Sequence, residues 1–484
     1  MKEIYITNTG VMVDGYLPKD NIELEKATSF YEKNQHKYVP VTGFCDTKDV
    51  KFLTYKMPES RLMEYFPKCH FNRIGVSKFK SIADVDLGDF QLRDNQKTVI
   101  SQMLNIKTPE MFVNIPTATG KTVLGVYFIT LMKVVSLVVC PSATIMSQWT
   151  DTMKRMGLAD RYTILGSGQQ LNEIYKGELR YNSDAYLITP MLMTTYGNKY
   201  GFDRLAKILE SLSIGIKFID EAHKNLGAIV RLNATTSFYK TVYLSADFYR
   251  ASAYTRKQFF EVFNHVPIIK MDDDEIEHLK HITTVIYPYR SHPTMVEAAN
   301  VVSQGKYHWS HWEFARYEFD KGVIIEYIDK ILDKIISIDE NSNNRPYKIL
   351  IMTIMVEHTD LLYDHIREKY GKYRSVGKFH SKLTEEERYT GKQQDIIIAT
   401  YQAFSVGIDI TVPNIQHVIS TSPVDVITHN QSAGRCRPID GEESFYWILE
   451  DADFDYCVNN ANYAAKYLAK SRVKKVITIK EDDK

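Results

Sequence analysis

This sequence has no excess of charge of either sign, because its 60 Lys and Arg residues balance its 60 Asp and Glu residues. No global positive field therefore attracts nucleic acid, and any such contact has to come from local patches. No run reaches the ~18 consecutive apolar residues of a membrane span. The N-terminus, MKEIYITNTG, lacks the long apolar segment of a signal peptide. These absences predict a cytoplasmic protein with no membrane partner.

Cysteine is sparse and scattered as well. The chain has no C-x-x-C pair among its five cysteines, which are Cys45, Cys69, Cys140, Cys436 and Cys457. A zinc site or a disulfide framework is therefore not expected, and the thiols are interpreted as buried or incidental groups in a reducing compartment. Internal repeats and low-complexity tracts are also lacking.

Short apolar runs bounded by polar or turn residues recur along the chain. Examples are SLVVC (136–140), IKFID (216–220) and KILIMTI (348–354). Most of these runs are continuous rather than alternating, which is typical of strands buried on both faces of a parallel sheet. Helical patterns lie between them, and alternation of strands with helices predicts an α/β fold.

The runs fall into two sets, and they suggest where the domains begin and end. We predict a small N-terminal α+β domain over residues 1–90, possessing no recognisable catalytic pattern, as an accessory and DNA-binding candidate. A first parallel-sheet lobe is predicted over 91–270, and a second lobe with a C-terminal tail over 271–484. The acidic stretch MDDDEIEHLK (271–280) is a plausible linker between the two lobes.

The segment NIPTATGKT (114–122) resembles a phosphate-binding loop whose first glycine is missing, since Ile115 stands in its place. A strand candidate, MFVNI (111–115), precedes it and a helical segment follows, so the loop would lie where open α/β sheets bind ligands. Its amides could hold phosphate oxygens. Lys121 would reach the outer phosphates and Thr122 would bind Mg²⁺. The loop residues assigned to ATP are Pro116, Thr117, Ala118, Thr119 and Gly120.

A second signal supports the first. The segment KFIDEAH (217–223) places two adjacent carboxylates at the end of a buried strand. Asp220 is predicted to hold Mg²⁺, and Glu221 to orient and deprotonate the attacking water. Each signal has an alternative without function. The Gly-Lys-Thr segment could be a chance match, and the two carboxylates could lie in an exposed acidic loop. Their occurrence about a hundred residues apart in one predicted sheet favours the ATP site.

Further motifs follow in the order found in superfamily 2 helicases of the DEAH type. They are LRDNQ (92–96), VVCPSATIMSQW (138–149), LITPMLMTT (187–195), DEAH (220–223), LSAD (244–247), ILIMTIMVEHTDLL (349–362), IIIATYQAFSVGIDI (396–410) and QSAGRCRP (431–438). The chain resembles this superfamily over about residues 91–450. The first motif of the superfamily commonly lacks the early glycine, which accounts for Ile115. The chain is most similar to the branch of UvsW-like and XPB-like branched-DNA helicases.

The resemblance implies two RecA-like lobes that use ATP and Mg²⁺. It assigns the adenine base to Gln96 with Arg93 nearby, and the nucleotide also to Gly407, Asp409, Arg435 and Arg437 from the second lobe. Arg435 fits the arginine-finger position, whereas Arg437 is offset by one because Pro438 stands at the expected place. Asp247, in place of the usual Thr, is a second departure.

The resemblance also assigns residues outside the nucleotide. Those implied to couple the ATP site to nucleic acid are His223, Ser245 and Gln431. Those implied to contact the backbone of a strand are Pro141, Ser142, Thr189, Thr353 and Thr400. In the N-terminal region the basic residues Lys68, Arg73, Lys78 and Lys80 are candidates for duplex contact, with an ordinary solvated surface as an equal alternative.

The function expected from these residues is an ATP-dependent DNA helicase acting on forked, branched or single-stranded DNA in phage replication or recombination. It would act as a monomer, in the host cytoplasm if a phage encodes the chain. An RNA helicase or transcript-release motor of the same superfamily is one alternative. A DNA-binding scaffold with an inactive ATP site is another, but Lys121, Asp220, Glu221 and Arg435 argue against it.

Overall fold

The computed structural model describes residues 2–17, 28–32, 37–40, 43–46, 50–116, 119–223, 226–245, 261–272, 280–301, 311–341, 346–405, 415–436, 443–469 and 473–479. The chain divides into two compact units, Met1–Met271 and Asp272–Lys484. Within the described ranges, no helix has the length and apolar character needed to cross a bilayer.

The first unit begins with a mixed sheet. Its elements are β1 (Glu3–Ile6), β2 (Gly10–Asp14), β3 (Ser29–Glu32), β4 (Lys37–Pro40), β5 (Gly43–Asp46), β6 (Lys51–Tyr55), α1 (Glu59–Tyr65) and β7 (His70–Arg73). Five strands pair in the order β5-β6-β2-β1-β7, in which only β1 and β7 are parallel. Strands β3 and β4 form a separate antiparallel pair. The predicted N-terminal α+β architecture is confirmed.

A seven-stranded sheet forms the rest of the first unit. Its elements are α2 (Asp94–Asn105), β8 (Glu110–Asn114), α3 (Lys121–Met132), β9 (Ser136–Val139), α4 (Ala143–Arg155), β10 (Tyr162–Ile164), α5 (Gly168–Lys176), β11 (Ala185–Ile188), α6 (Pro190–Tyr200), α7 (Phe202–Ser211), β12 (Ile216–Ile219), α8 (Leu226–Thr235), β13 (Lys240–Ser245) and β14 (Ile268–Lys270). The strand order is β10-β11-β9-β12-β13-β8-β14, and every pair is parallel. Strands β9, β11, β12 and β13 are buried along their whole length, which explains their continuous apolar runs.

The N-terminal sheet packs directly on helix α8 of this lobe. The Thr7 hydroxyl donates to the Asn233 carbonyl at 2.7 Å. Gly10 approaches the helix so closely that a Cβ there would lie 2.4 Å from the Ala234 Cα. The segment after β7 continues the contact along the amino ends of the lobe strands, because the backbone of Lys80 bonds to Ser213 and Val135 at 3.0 Å each. Residues 1–90 therefore share one compact unit with the first lobe, and their removal would uncover part of it.

The second unit repeats the parallel architecture. Its elements are β15 (Ile282–Tyr289), α9 (Met295–Val301), α10 (His311–Asp320), α11 (Val323–Asn341), β16 (Lys348–Thr353), α12 (Val356–Tyr370), β17 (Val376–Phe379), α13 (Glu385–Gly391), β18 (Ile396–Thr400), α14 (Tyr401–Ser405), β19 (Ile415–Ser420), α15 (Val426–Ala433), β20 (Ser444–Asp451), α16 (Asp455–Leu468) and β21 (Val473–Thr478). The order is β17-β18-β16-β19-β20-β15-β21, again parallel throughout. Ile349 and Leu350 of β16 point into different core clusters, so helices cover both faces. The prediction of two parallel-sheet lobes is confirmed.

A lysine is fully buried inside the first lobe. Lys217 of β12 is 0% exposed and donates to the Asn233 side chain of α8. Asn233 in turn donates to the Tyr243 hydroxyl at 2.8 Å, and Tyr243 donates to Glu110 at 2.6 Å. This buried polar network joins three strands to the helix that carries the N-terminal sheet. Burial lowers the pKa of Lys217 to about 7, against an opposing effect from the Glu110 carboxylate.

Lys217→Met should change how the stability of the first unit depends on pH. The unfolded chain binds the Lys217 proton with a pKa near 10.5, and the folded chain with a pKa of about 7. Between these values the unfolded state holds more protons, so the wild type loses stability as the pH falls through that window. The variant lacks this loss, so its free energy of unfolding relative to the wild type should rise by up to about 4 kcal/mol from pH 10 to pH 7. Urea unfolding of both proteins across this window measures the difference, and a difference independent of pH would contradict the prediction.

Candidate ATP site and nucleic-acid contacts

The predicted phosphate loop connects β8 to α3 at the carboxyl edge of the first lobe's sheet. Gly120 has a φ of +91°, a conformation that favours glycine. A Cβ at this position would also lie 2.5 Å from the Gln96 side-chain nitrogen. Gly120 is the N-cap of α3 and has no side chain to occupy the amides of its first turn. Backbone shape and the start of the helix both suit a phosphate group.

Gln96 connects the start of α2 to this loop. Its side-chain oxygen accepts a hydrogen bond from the Arg93 amide at 3.0 Å, and its nitrogen donates to the Thr119 carbonyl at 2.9 Å. Gln96 is buried, whereas Arg93 is exposed. The Thr119 hydroxyl donates to the Pro116 carbonyl at 2.6 Å and closes the loop on itself. The adenine contact of Gln96 stays a prediction, and the structure adds a role in holding the loop.

Asp220 follows β12 at the same edge of the sheet and is 7% exposed. One carboxylate oxygen accepts from the Glu221 amide at 2.9 Å, and the other accepts from the Trp149 indole nitrogen at 2.8 Å. Burial raises the pKa of Asp220 to about 6, and the Glu221 charge adds to the effect. The Trp149 hydrogen bond and the Lys121 charge oppose it. A buried carboxylate of this kind gains from a cation beside it.

Glu221 adopts an unusual backbone conformation. Its φ is +48°, which non-glycine residues seldom adopt. Its side chain lies 3.3 Å from the His223 Nδ1 atom. The same Nδ1 atom lies 2.8 Å from the hydroxyl of Ser245, the last residue of β13. Non-glycine residues held at such angles are concentrated at functional sites. The predicted coupling residues His223 and Ser245 are thus in direct contact beside the acidic pair.

These residues fit a magnesium nucleotide. Lys121 is the first residue of α3, directly after Gly120, and is only 9% exposed. Its charge acts on Asp220 across the sheet edge. Carboxylate and hydroxyl oxygens, here from Asp220 and Thr122, are ligands that Mg²⁺ prefers. The residues predicted from separate motifs are therefore assembled at one edge of the first lobe.

Comparison with known proteins bears on this site. Residues 89–250 match the family described as "Type III restriction enzyme, res subunit". The solved structure "S. cerevisiae Dbp5 bound to RNA and ADP BeF3" aligns at 15% identity over 81% of this chain and 90% of that chain, with a TM-score of 0.52. "Structure of Mss116p (NTE and C-tail double deletion) bound to ssRNA and AMP-PNP" aligns at 16% identity over 80% and 74%, with a TM-score of 0.53. The family match over residues 89–250 and the fold shared with these structures support a superfamily 2 helicase core and a helicase-type ATPase.

Two further comparisons concern the whole chain. "The crystal structure of T4 UvsW" aligns at 15% identity over 99% of each chain, with a TM-score of 0.33. That score is too low to assign the core to a branch of the superfamily. No curated protein sequence matches the chain.

The predicted strand-contacting residues of the first lobe lie at the same sheet edge as the ATP residues. Ser142 caps α4, and its hydroxyl accepts from the Ile145 amide at 3.3 Å. Thr189 caps α6 and accepts from the Leu192 amide at 3.2 Å. These helices follow β9 and β11, which are paired neighbours in the half of the sheet next to β12. Pro141 and both caps are partly exposed.

The two threonines predicted in the second lobe of the helicase core are placed differently. Thr353 ends β16 and is 0% exposed, and its hydroxyl lies 2.6 Å from that of Thr359. Thr400 ends β18, is 5% exposed, and accepts from the Ala403 amide at 3.3 Å. Both hydroxyls are used inside the lobe in this structure. A strand contact at these positions would therefore involve neighbouring groups rather than the two hydroxyls as they stand.

The last motif of the helicase core lies at the end of α15. Gln431 belongs to that helix, and Arg435 follows it with its amide bonded to the Ser432 carbonyl at 2.9 Å. Both side chains are partly exposed. Five predicted nucleotide residues lie outside the described residues, namely Thr117, Ala118, Gly407, Asp409 and Arg437. Asp247 does so as well.

Proposed function

We propose that this chain is an ATP-dependent DNA helicase or translocase that unwinds or branch-migrates forked and branched DNA, in phage replication or recombination. The observation that supports it most is the assembly of ATP-hydrolysing and strand-contacting groups along one edge of the first lobe's sheet. Lys121, Asp220 and Glu221 occupy one half of that edge. The helix caps Ser142 and Thr189 occupy the other half.

The chemistry follows from the charges at that edge. Lys121 and the first-turn amides of α3 bind the outer phosphates and orient them. Thr122 and Asp220 hold Mg²⁺, which when bound neutralises charge on the phosphate oxygens. Glu221 accepts the proton of the attacking water, as a general base has to lie beside that water. Arg435 supplies a further positive charge to the nucleotide, as the resemblance to superfamily 2 implies.

The contact of His223 with Ser245 connects the proposed hydrolysis site to the end of a neighbouring strand. His223 belongs to the same turn as Glu221, and Ser245 ends β13, which pairs with β8 and thus adjoins the phosphate loop. A change in the position of Glu221 on hydrolysis would therefore be transmitted through His223 to the end of β13 and to the neighbouring end of β8. We assign the coupling role to this pair, with Gln431 as its proposed counterpart in the second lobe.

Nucleic-acid affinity should fall steeply with salt and depend little on base sequence. Ser142 begins α4, whose first-turn amides other than that of Ile145 suit phosphate oxygens. Thr189 precedes Pro190, which has no N–H, so α6 offers fewer such amides. Phosphate contacts position a strand without reading its sequence. Each phosphate that the protein neutralises contributes a slope of about −0.7 in log affinity against log salt for a single strand. Fluorescence anisotropy with two oligonucleotides of unrelated sequence, at 50 to 300 mM salt, measures both properties. A strong preference for one sequence at fixed salt would contradict the prediction.

DNA is proposed over RNA because the segments ATYQAFSVGIDI (399–410) and NIQHVI (414–419) resemble those of UvsW-type proteins. An RNA motor is the second candidate, since the Dbp5 and Mss116p structures contain RNA. Those likenesses support the fold of this chain and leave its substrate open. Intact Lys121, Asp220 and Glu221 speak against an inactive scaffold.

A surface for branched substrates is proposed within residues 1–90. Arg73 is paired with Glu59 at 2.7 Å, so its charge is already partly used. Lys68, Lys78 and Lys80 are exposed, and Lys80 lies at the amino ends of β9 and β12, opposite the ATP edge. Because this region packs on the first lobe, point substitutions test it better than deletion. Lys68, Lys78 and Lys80→Ala should reduce junction unwinding relative to single-strand-stimulated ATPase, and Lys107, Lys176 and Lys207→Ala is the matched control.

The decisive experiment compares ATPase stimulation by single-stranded DNA, duplex, a fork, a four-way junction and single-stranded RNA. Stimulation by DNA, with unwinding of forks or junctions, supports the proposal. Stronger stimulation by RNA than by any DNA would replace it with the RNA motor. ATP hydrolysis that no nucleic acid stimulates, together with no unwinding, would overturn both.

A further inference from the structure

Trp149 makes a contact that none of the motif assignments uses. It lies in α4, its side chain is 0% exposed, and its indole nitrogen donates to an Asp220 carboxylate oxygen at 2.8 Å. The ring also lies against α3, because a Cβ at Gly125 would be 2.2 Å from the Trp149 Cη2 atom. Gly125 is one turn after Lys121. A single side chain therefore touches the phosphate-binding helix and the predicted Mg²⁺ carboxylate.

The position of Trp149 on its own helix connects it to the proposed strand contact. Ser142 caps α4, and Trp149 follows seven residues later. Seven residues are two helical turns, so both residues lie on the same side of α4 about 10 Å apart. A helix moves as a rigid rod over that distance. A displacement of the α4 N-terminus is thereby carried to the indole ring, which packing confines between α3 and β12.

We propose that Trp149 is a positioning residue that transmits nucleic-acid binding at the N-terminus of α4 to Asp220. The inference rests on the proposed function. The hydrogen bond at 2.8 Å weakens if the indole withdraws by less than 1 Å, because such bonds are lost beyond about 3.5 Å. Binding of a strand at the N-terminus of α4 would hold this helix in place and with it the indole N–H of Trp149. The N–H group would in turn hold the Asp220 carboxylate, which is proposed to bind Mg²⁺ with the nucleotide. Packed side chains and hydrogen bonds of this kind carry coupling between sites.

Two substitutions separate the donor from the ring. Trp149→Phe keeps a six-membered aromatic ring in the core and removes the N–H group. Trp149→His keeps an N–H donor on a five-membered ring, at the place of the indole nitrogen, and removes the benzene ring that packs on Gly125. The readout is the affinity for a non-hydrolysable ATP analogue with Mg²⁺, measured with and without saturating oligothymidine or oligouridine. Thermal unfolding of each variant verifies that it folds.

In the wild type, the oligonucleotide should tighten analogue binding by a factor of roughly 5–150, and the analogue should tighten oligonucleotide binding equally. Trp149→Phe should bring that factor close to 1, while Trp149→His should keep most of it. A merely structural role would weaken binding or folding without changing the factor. Should Trp149→Phe not fold, Trp149→His decides alone, since a kept factor supports the donor role and a lost factor overturns it.

The outcomes distinguish this inference from the proposed function. No coupling in the wild type with either oligonucleotide would overturn both. Coupling in the wild type that both Trp149→Phe and Trp149→His retain would overturn the role of Trp149 and leave the proposed function standing. A factor lost in Trp149→His and kept in Trp149→Phe would assign the effect to ring packing and also overturn the donor role.

Discussion

Lys121→Ala should reduce ATP hydrolysis about 10³-fold, the upper range for loss of one positioned group that stabilises transition-state charge. Lys121 begins α3, is buried, and acts electrostatically on Asp220. Alanine has no charge for the outer phosphates, and it leaves the adjacent carboxylates Asp220 and Glu221 without this cation. Weaker nucleotide binding should accompany the loss of turnover. Steady-state hydrolysis with saturating oligonucleotide measures the rate, and a fluorescent ATP analogue measures the affinity.

Lys133→Ala is the matched control for this experiment. Lys133 is the residue that follows α3 at its other end, is exposed, and pairs with Asp84. The control substitution also removes one lysine charge, but at the opposite end of α3 from the phosphate loop. Its turnover should stay within about twofold of the wild type, because exposed ion pairs contribute little to stability. Hydrolysis near the wild-type rate in Lys121→Ala would show that the phosphate loop is wrongly assigned.

Glu221→Gln should bind ATP and Mg²⁺ normally and lower the turnover rate by about 10²–10⁴-fold, the usual contribution of a positioned general base. Glutamine keeps the shape of the side chain and removes its basicity. Both residues have a Cβ, so the cost of the φ of +48° at this position stays the same. The substitution therefore isolates the charge. Single-turnover hydrolysis and analogue binding separate the two effects.

Glu210→Gln serves as the control for Glu221→Gln, since Glu210 is an exposed carboxylate in α7 of the same lobe. It should turn over ATP like the wild type. Unchanged turnover in Glu221→Gln would exclude Glu221 as the base. Loss of analogue binding in that variant would instead indicate that the charge of Glu221 serves the metal or the fold.

Much of the architecture could be predicted from local sequence. Buried parallel strands need apolar side chains on both faces, so runs such as 136–140 and 216–220 mark β9 and β12 without any knowledge of their neighbours. Lys121, Asp220 and Ser245 were predicted from separate motifs. Parallel strands bring their carboxyl ends to one edge, so these residues meet there although they are up to 124 positions apart.

Other features were decided by the tertiary structure alone. The docking of the N-terminal sheet on α8 depends on Gly10 meeting a helix more than 220 residues away, and no local pattern marks that pairing. Thr353 and Thr400 occupy the motif positions that predict a strand contact. In the folded lobe both residues are buried, and their hydroxyl groups bond to Thr359 and to the Ala403 amide.

Trp149 shows the same division between sequence and structure. The motif VVCPSATIMSQW includes the residue, and its helix could be predicted from the pattern around it. Its hydrogen bond to Asp220 spans 71 residues and exists because β9 and β12 are paired, which places α4 over the end of β12. Residue types and their spacing thus determined the strands, the helices and the chemistry of each motif. The order of strands in the sheet decided which side chains touch, because contacts between distant segments depend on packing that local sequence does not encode.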